Sequence, residues 1–360
     1  MQSAANTKQA SPASHKSRIV KQIFTYLIPL CISCGMIIWL FNKVNFREMF
    51  HVIRTECDFF WIFMMMLLTS LSQIFRGIRW GIQLRGAGLP KVPVISEVVS
   101  IFGAYALNLI FSEVGEAWRC VYMSKREKSP LTTVVGTDIG DRLSDFAVIV
   151  ILLGLALVVA RKYMEKFLSH YSMGQRLEDY VDKPWLWLGI IALLTVCWAI
   201  LHFGTRYAAV RKVKAGISQI WAGLKVLATM RGKGMYLLLT LGIWGCYFLE
   251  TYLCFYAFPF TRELISDPGS VYGLIPGLVV FVFGSVSMGI PSSGGLGPWN
   301  LAVMFALSLY GISDVNGTAF SMVMWSCQTM MLIAQGIFAA IYVSAEKRVS
   351  GSTASQANQA

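Results

Sequence analysis

The chain has 360 residues, of which 56% are hydrophobic and 14% charged, with a formal net charge of +12. Its mean hydropathy is +0.58. Soluble domains carry about 25% charged residues, so this composition excludes an ordinary soluble globule and indicates an all-α, polytopic helical membrane protein. Its basic stretches each abut an apolar run, which argues against nucleic-acid binding and for membrane topology.

The first 22 residues hold Lys8, Lys16, Arg18 and Lys21 and no acid, and form a basic, disordered tail. Residues 23–41 make a first span, too long for the apolar part of a signal peptide. Further spans are expected at 59–79, 132–160, 185–203, 235–258 and 317–343, each near the 20 or so residues that cross a bilayer. The tail over 345–360 is polar and expected to be disordered. The membrane domain is therefore 23–344.

Charge orients these spans. The head, residues 76–91 and residues 203–234 carry Lys and Arg without acid and belong inside, whereas 42–58 and 161–184 are balanced and belong outside. Six crossings satisfy this pattern if 94–130 enters the membrane and returns to the cytoplasmic side. Residues 272–311 are two apolar segments broken by Pro291-Ser292-Ser293-Gly294-Gly295-Leu296-Gly297-Pro298, and they suggest a second re-entrant element. The expectation is about six full spans plus two re-entrant elements. Span, span, re-entrant element and span recur over 23–160 and 185–344, so the halves would form an inverted repeat. Both termini would be cytoplasmic, in a bacterial inner membrane.

Polar chemistry concentrates in one stretch. Residues 111–145 carry Glu113, Glu116, Arg119, Asp138, Asp141, Arg142 and Asp145 between apolar runs. The last four are three or four apart and share a helix face. They are either the charged cap of a span beside a solvated loop, or paired charges lining a cavity. Glu250 stands alone in its apolar run, near Trp244, Tyr247 and Tyr252. It is either a hydrogen-bonded structural acid or part of a site. Six of the eight cysteines lie in apolar runs, and the four histidines are scattered. No metal site, cofactor loop or nucleophile motif is apparent.

Gly115-Glu116-x-x-Arg119, Asp141-Arg142-x-x-Asp145 and the late Pro291…Gly294-Gly295-Leu296-Gly297 occur in this order over a chain of this topology. Together they resemble the transmembrane domain of lysylphosphatidylglycerol synthases, in the broad family of flippase-like membrane proteins. The resemblance spans roughly 20–344. The family often has Glu-Arg where this chain has Asp141-Arg142, and an acid where it has Trp299-Asn300. The larger synthases also carry a cytosolic aminoacyl-transferase domain, which this chain is expected to lack. The resemblance implies lipid translocation without synthase chemistry.

A translocator of an anionic or phosphate-bearing lipid needs a polar cavity, cations for the phosphate and acids to orient them. Arg119 and Arg142 are candidate cations, and Glu116, Asp138, Asp141, Asp145 and Glu250 candidate acids. Gly294, Gly295 and Gly297 would offer backbone N–H groups at a helix start. The candidate site lies where the two re-entrant elements meet, with Arg119 pointing into the cavity. The expected partners are membrane lipids, with a homo-oligomer or a separately encoded enzyme also compatible. The competing classes are an intramembrane lipid-modifying transferase using the aspartates, and a scaffold for such an enzyme.

Overall fold

A computed structural model describes residues 45–110, 114–161, 188, 195, 232–290 and 292–357. The expected spans at 23–41 and 185–203, most of the segments 161–184 and 203–234, the N-terminal tail, Glu113 and Pro291 lie outside these residues, apart from a few isolated positions.

Ten α-helices make up the described architecture: α1 (Phe46–Glu56), α2 (Phe59–Gly86), α3 (Val94–Asn108), α4 (Val114–Arg126), α5 (Leu131–Val159), α6 (Lys233–Phe255), α7 (Pro259–Ser266), α8 (Leu274–Ser287), α9 (Pro298–Ser308) and α10 (Asp314–Ala357). Local chemistry sets several boundaries. Asn45 and Asp58 cap α1 and α2 by accepting from Glu48 N and Phe60 N. Pro259 and Pro298 open α7 and α9, where a missing N–H costs nothing.

Among the described residues, four helices are long and apolar enough to cross a membrane: α2, α5, α6 and residues 314–346 of α10. They fall on four of the expected spans. Their outward faces are apolar: Phe60, Phe63, Leu67 and Leu71 on α2, and Phe146, Val150, Ile151 and Val158 on α5 are exposed. Such stripes would drive aggregation in water and suit contact with lipid. α3, α8 and α9 have 15, 14 and 11 residues, too few to cross alone. The segments 94–130 and 272–311 are thus pairs of helices, α3 on α4 and α8 on α9, each packed against its partner.

α2 lies along α6, α10 runs beside α3, and α5 packs on α4 and α8. Several apolar clusters hold these contacts. One gathers Met65, Phe255, Phe258, Val280, Leu307 and Phe320; another gathers Trp80, Leu84, Ile101, Cys120, Met123 and Val134 from α2 to α5. Lipid tails are as apolar as these side chains, so close fit must supply the stability. α3 is accordingly flanked by glycine. A Cβ on Gly115 would lie 1.9 Å from Ala104 O, and one on Gly336 would lie 2.3 Å from Ala106 Cβ.

α10 continues to Ala357, past Ser344, where the sequence suggests a disordered tail. Its anchor is Glu346, whose carboxylate accepts from Tyr122 Oη and Arg126 Nε of α4, both at 2.8 Å.

Gly115→Val should abolish the α3–α4 contact, because backbone rather than a flexible side chain occupies the space. The expected result is loss of monodisperse protein on size-exclusion chromatography in detergent. Wild-type yield for this variant would show that α4 can stand off from α3.

Candidate functional site

α2 carries Thr69, Gln73, Arg76, Arg79 and Gln83 at intervals of three or four residues, with Ser72 beside Gln73, and all six are buried. This polar stripe turns toward α5, which presents Asp138, Asp141 and Asp145 on one buried face. Arg76 Nη1 lies 2.5 Å from Asp145 Oδ2. Arg79 Nη2 lies 2.7 Å from Asp141 Oδ1 and 2.8 Å from Asp145 Oδ1. From α4, Arg119 pairs with Asp138 and also stands 3.7 Å from Asp141 Oδ2. Three arginines from two helices thus meet three aspartates on a third, and the charges cancel. Without that cancellation the group could not remain buried in an apolar body. Aromatic rings close the cluster: Arg119 lies over Trp80 at 4.6 Å, Arg79 over Tyr236 at 5.5 Å and Arg76 over Tyr105 at 5.7 Å.

This arrangement decides between the two readings of the charged face of α5: Asp138, Asp141 and Asp145 are all buried, so it is not a solvated cap. Arg76 and Arg79, counted among the basic charges of 76–91, lie inside α2 and pair with the aspartates.

Arg142 stands apart from the network. It pairs with Glu116 of α4 rather than with an aspartate one turn away on its own helix. Asp138 and Asp145 already face other helices, and Arg142 leaves α5 in a different direction. Glu116 also accepts from Asn108 Nδ2 at 2.8 Å, while Asn108 Oδ1 accepts from Gly115 N at 2.8 Å. The asparagine at the end of α3 therefore holds the start of α4 and the acid together. The Arg142 side chain keeps 42% of its surface exposed, whereas that of Arg119 keeps 0%.

That exposed surface faces a cavity of about 370 Å³ enclosed by α2 to α6 and α8 to α10. Glu116, Arg142, Asp145, Glu250 and Gly294 line it, together with Arg76, Gln73, Asn108, Tyr247 and Trp325. Arg119, Asp138 and Asp141 sit behind its lining, so Arg119 does not point into it as expected. Glu250, 1% exposed, accepts from Gln328 Nε2 of α10 at 2.9 Å.

The glycine turn reaches the same place. Gly294 has φ +59° and Gly295 φ +76°, which other residues rarely adopt. Gly294 packs on Leu109 so closely that a Cβ would lie 3.1 Å from its side chain. Its carbonyl accepts from Trp325 Nε1 at 2.8 Å. The junctions of the two helix pairs therefore touch at the cavity. Gly295 and Gly297 are buried within the turn, and the Gly297 N–H donates to Asn300 Oδ1 at 3.1 Å. Asn300 also reaches Ser321 Oγ at 3.4 Å, so an amide braces the turn and the following helix.

Sequence reasoning missed Arg76, Gln73 and Asn108. A signal for the first two was present: polar residues at helical spacing from Thr69 to Gln83 inside an apolar run mark a buried face. Asn108 had no such signal.

One comparison with known proteins gives a match. The family model for the lysylphosphatidylglycerol synthase TM region matches residues 26–336. Neither a curated protein nor a solved structure matches the chain. The family match covers most of the chain, which therefore belongs to the lysylphosphatidylglycerol synthase transmembrane family.

Asp141→Leu should leave Arg79 without one of its partners in the interior. Breaking a buried pair costs on the order of 3–5 kcal/mol, so folded yield in detergent should collapse. Asp141→Leu combined with Arg79→Leu should recover part of it, because no uncompensated charge is then added. A thermal melt of Asp141→Leu matching wild type would show that Asp145 alone balances the arginines.

Proposed function

We propose that the protein is a lipid translocase of the flippase-like kind, moving a lipid with an anionic, phosphate-bearing head group between leaflets. The observation that carries this reading is Arg142: a guanidinium tethered to Glu116 on one side and open to a cavity on the other. Arg76 also lines the cavity but is held by Asp145, and Arg79 and Arg119 are enclosed by aspartates and aromatic rings. A guanidinium has five donors in a planar fork, so it can keep the carboxylate and still hold a phosphate. Glu116 and Asn108 would orient it, and Asp145 would keep Arg76 in place beside it.

On this reading the pairs α3–α4 and α8–α9 are the two re-entrant elements of an inverted repeat, entering from opposite faces. Support comes from Leu109 and Gly294, which bring the two junctions into contact at the cavity. Exposed apolar faces on α2 and α5 support a bilayer around the cavity. Transport, not chemistry on the lipid, is the activity assigned. The location assigned is a bacterial inner membrane with both termini cytoplasmic.

The test is reconstitution into liposomes with a fluorescent phosphatidylglycerol, following the fraction protected from an external reductant. Wild-type protein should speed exchange between leaflets. Arg142→Gln should fold and slow exchange at least about tenfold, because a charge-assisted hydrogen bond is worth about 1.5–3 kcal/mol. Turnover of an activated donor without exchange would instead make the protein a transferase.

A further inference from the structure

The cavity carries one acid that the ion-pair network leaves out. Glu250 of α6 lines it and is 1% exposed. Its hydrogen-bond partners are neutral: Gln328 Nε2 of α10 donates to it at 2.9 Å, and it shares a hydrogen bond with the Thr69 hydroxyl of α2. Among the described residues no cation lies within ion-pair distance of it. The other titratable groups on the cavity are Arg76 of α2, Tyr105 of α3, Glu116 of α4, Arg142 and Asp145 of α5 and Tyr247 of α6; the described lining from α8, α9 and α10 has none. Cys246 and Tyr247 of its own helix lie within reach of its charge. Arg76 is held by Asp145 and donates to Tyr247 Oη at 3.2 Å, and Arg142 is held by Glu116, so neither serves Glu250.

We propose that Glu250 is a proton-binding site that couples lipid movement to a proton gradient, one proton travelling with each phosphate-bearing lipid. Charge sets the coupling. Arg76, Arg79, Arg119 and Arg142 cancel Glu116, Asp138, Asp141 and Asp145. An ionised Glu250 therefore gives the site one negative charge in excess, and a lipid phosphate adds a second. Like charges in one cavity of about 370 Å³ repel with little screening. Lipid thus binds more tightly when Glu250 holds a proton, and by linkage the proton is held more tightly when lipid is bound. A monoanionic lipid and a proton together carry no net charge, so their joint transfer does no work against the membrane potential. The surroundings serve both forms of the acid. Thr69 has one proton and two acceptors for it, Met65 O at 3.2 Å and the ionised carboxylate. Once the acid is protonated it donates to the Thr69 oxygen, and the hydroxyl proton turns to Met65 O. A metal cation would need several oxygen ligands, whereas Gln328 turns its N–H group toward the acid. This inference rests on the translocase reading and adds the driving ion to it.

The experiment uses the full chain in liposomes with fluorescent phosphatidylglycerol, imposing a pH gradient and a membrane potential separately, with protein-free vesicles as the baseline. An external reductant reads the distribution between leaflets. A gradient of one pH unit at zero potential should concentrate the lipid in the leaflet facing the alkaline side, whichever way the protein inserts. The limit is the roughly tenfold ratio that one proton per lipid allows. A potential at equal pH should leave the distribution unchanged. Glu250→Gln keeps the shape and removes the titration, so the lipid should cross as an anion, following the potential and ignoring the pH gradient. If that variant does not fold, the wild-type protein still tests the residue. Dicyclohexylcarbodiimide, which attacks protonated carboxyls, should modify Glu250 ahead of Glu116 and Asp145. A wild-type distribution that ignores the pH gradient, a Glu250→Gln distribution that still follows it, or no modification of Glu250 would each overturn the proton site. Exchange above the protein-free baseline with neither gradient imposed would then leave the translocase reading standing. No exchange above that baseline under any condition would overturn both.

Discussion

The buried charge network between α5 and the helices around it is the constraint on which the rest depends. Asp138, Asp141 and Asp145 cannot sit in an apolar body unless cations reach them, and none on their own helix does. α2 and α4 must therefore approach α5 at fixed register, with Arg76, Arg79 and Arg119 at the right depth. A slip of one residue along any of these helices would turn a charge toward lipid. Van der Waals packing tolerates such slips more readily than ion pairs do. The network thus gives three helices a single arrangement, and the apolar cores fill in around it.

The same geometry divides the arginines into two kinds. Arg76, Arg79 and Arg119 hold the helices in register and have little freedom left. Arg142 has one acid, Glu116, and an open side. Its position follows from helix periodicity: one residue after Asp141, it projects about 100° away from that side chain. A sequence of two adjacent charges thereby separates a structural function from a binding one. Asn108 completes the division by fixing Glu116 through the end of the short helix that precedes it.

Broken helices give the cavity its remaining parts. α3 ends at Asn108 and α8 at Ser287, and a second helix starts at Val114 and at Pro298 respectively. Long helices would have crossed the region and filled it with side chains. Short pairs instead leave room at their junctions, where Leu109 meets Gly294. Gly294 and Gly295 permit the turn because their backbones adopt positive φ, and Trp325 and Asn300 satisfy groups that the break would leave bare. The resulting space has a charged end around Arg142 and a second polar end where Gln328 of α10 meets Glu250 of α6.

The sequence by itself determined the helical class, the membrane setting, the places of four described spans (with α2 running seven residues past its expected end), the two interrupted segments and the family. These follow from composition and from runs of apolar residues, which are local properties. It also identified Asp138, Asp141 and Asp145 as one face of a helix, because periodicity is local too. Which arginine meets which acid was decided only in three dimensions. Spacing along α5 suggested that Arg142 pairs with its own helix, yet ion pairs form wherever cations from other helices arrive first, and α2 and α4 supply them. Arg76 and Arg79 read as topological charges because a helix can extend past its apolar run without any local mark. Arg119 and Arg142 look alike in the chain. Only the packing of α2, α4 and α5 buries one beneath Trp80 and leaves the other facing the cavity, since burial is a property of neighbours distant in sequence.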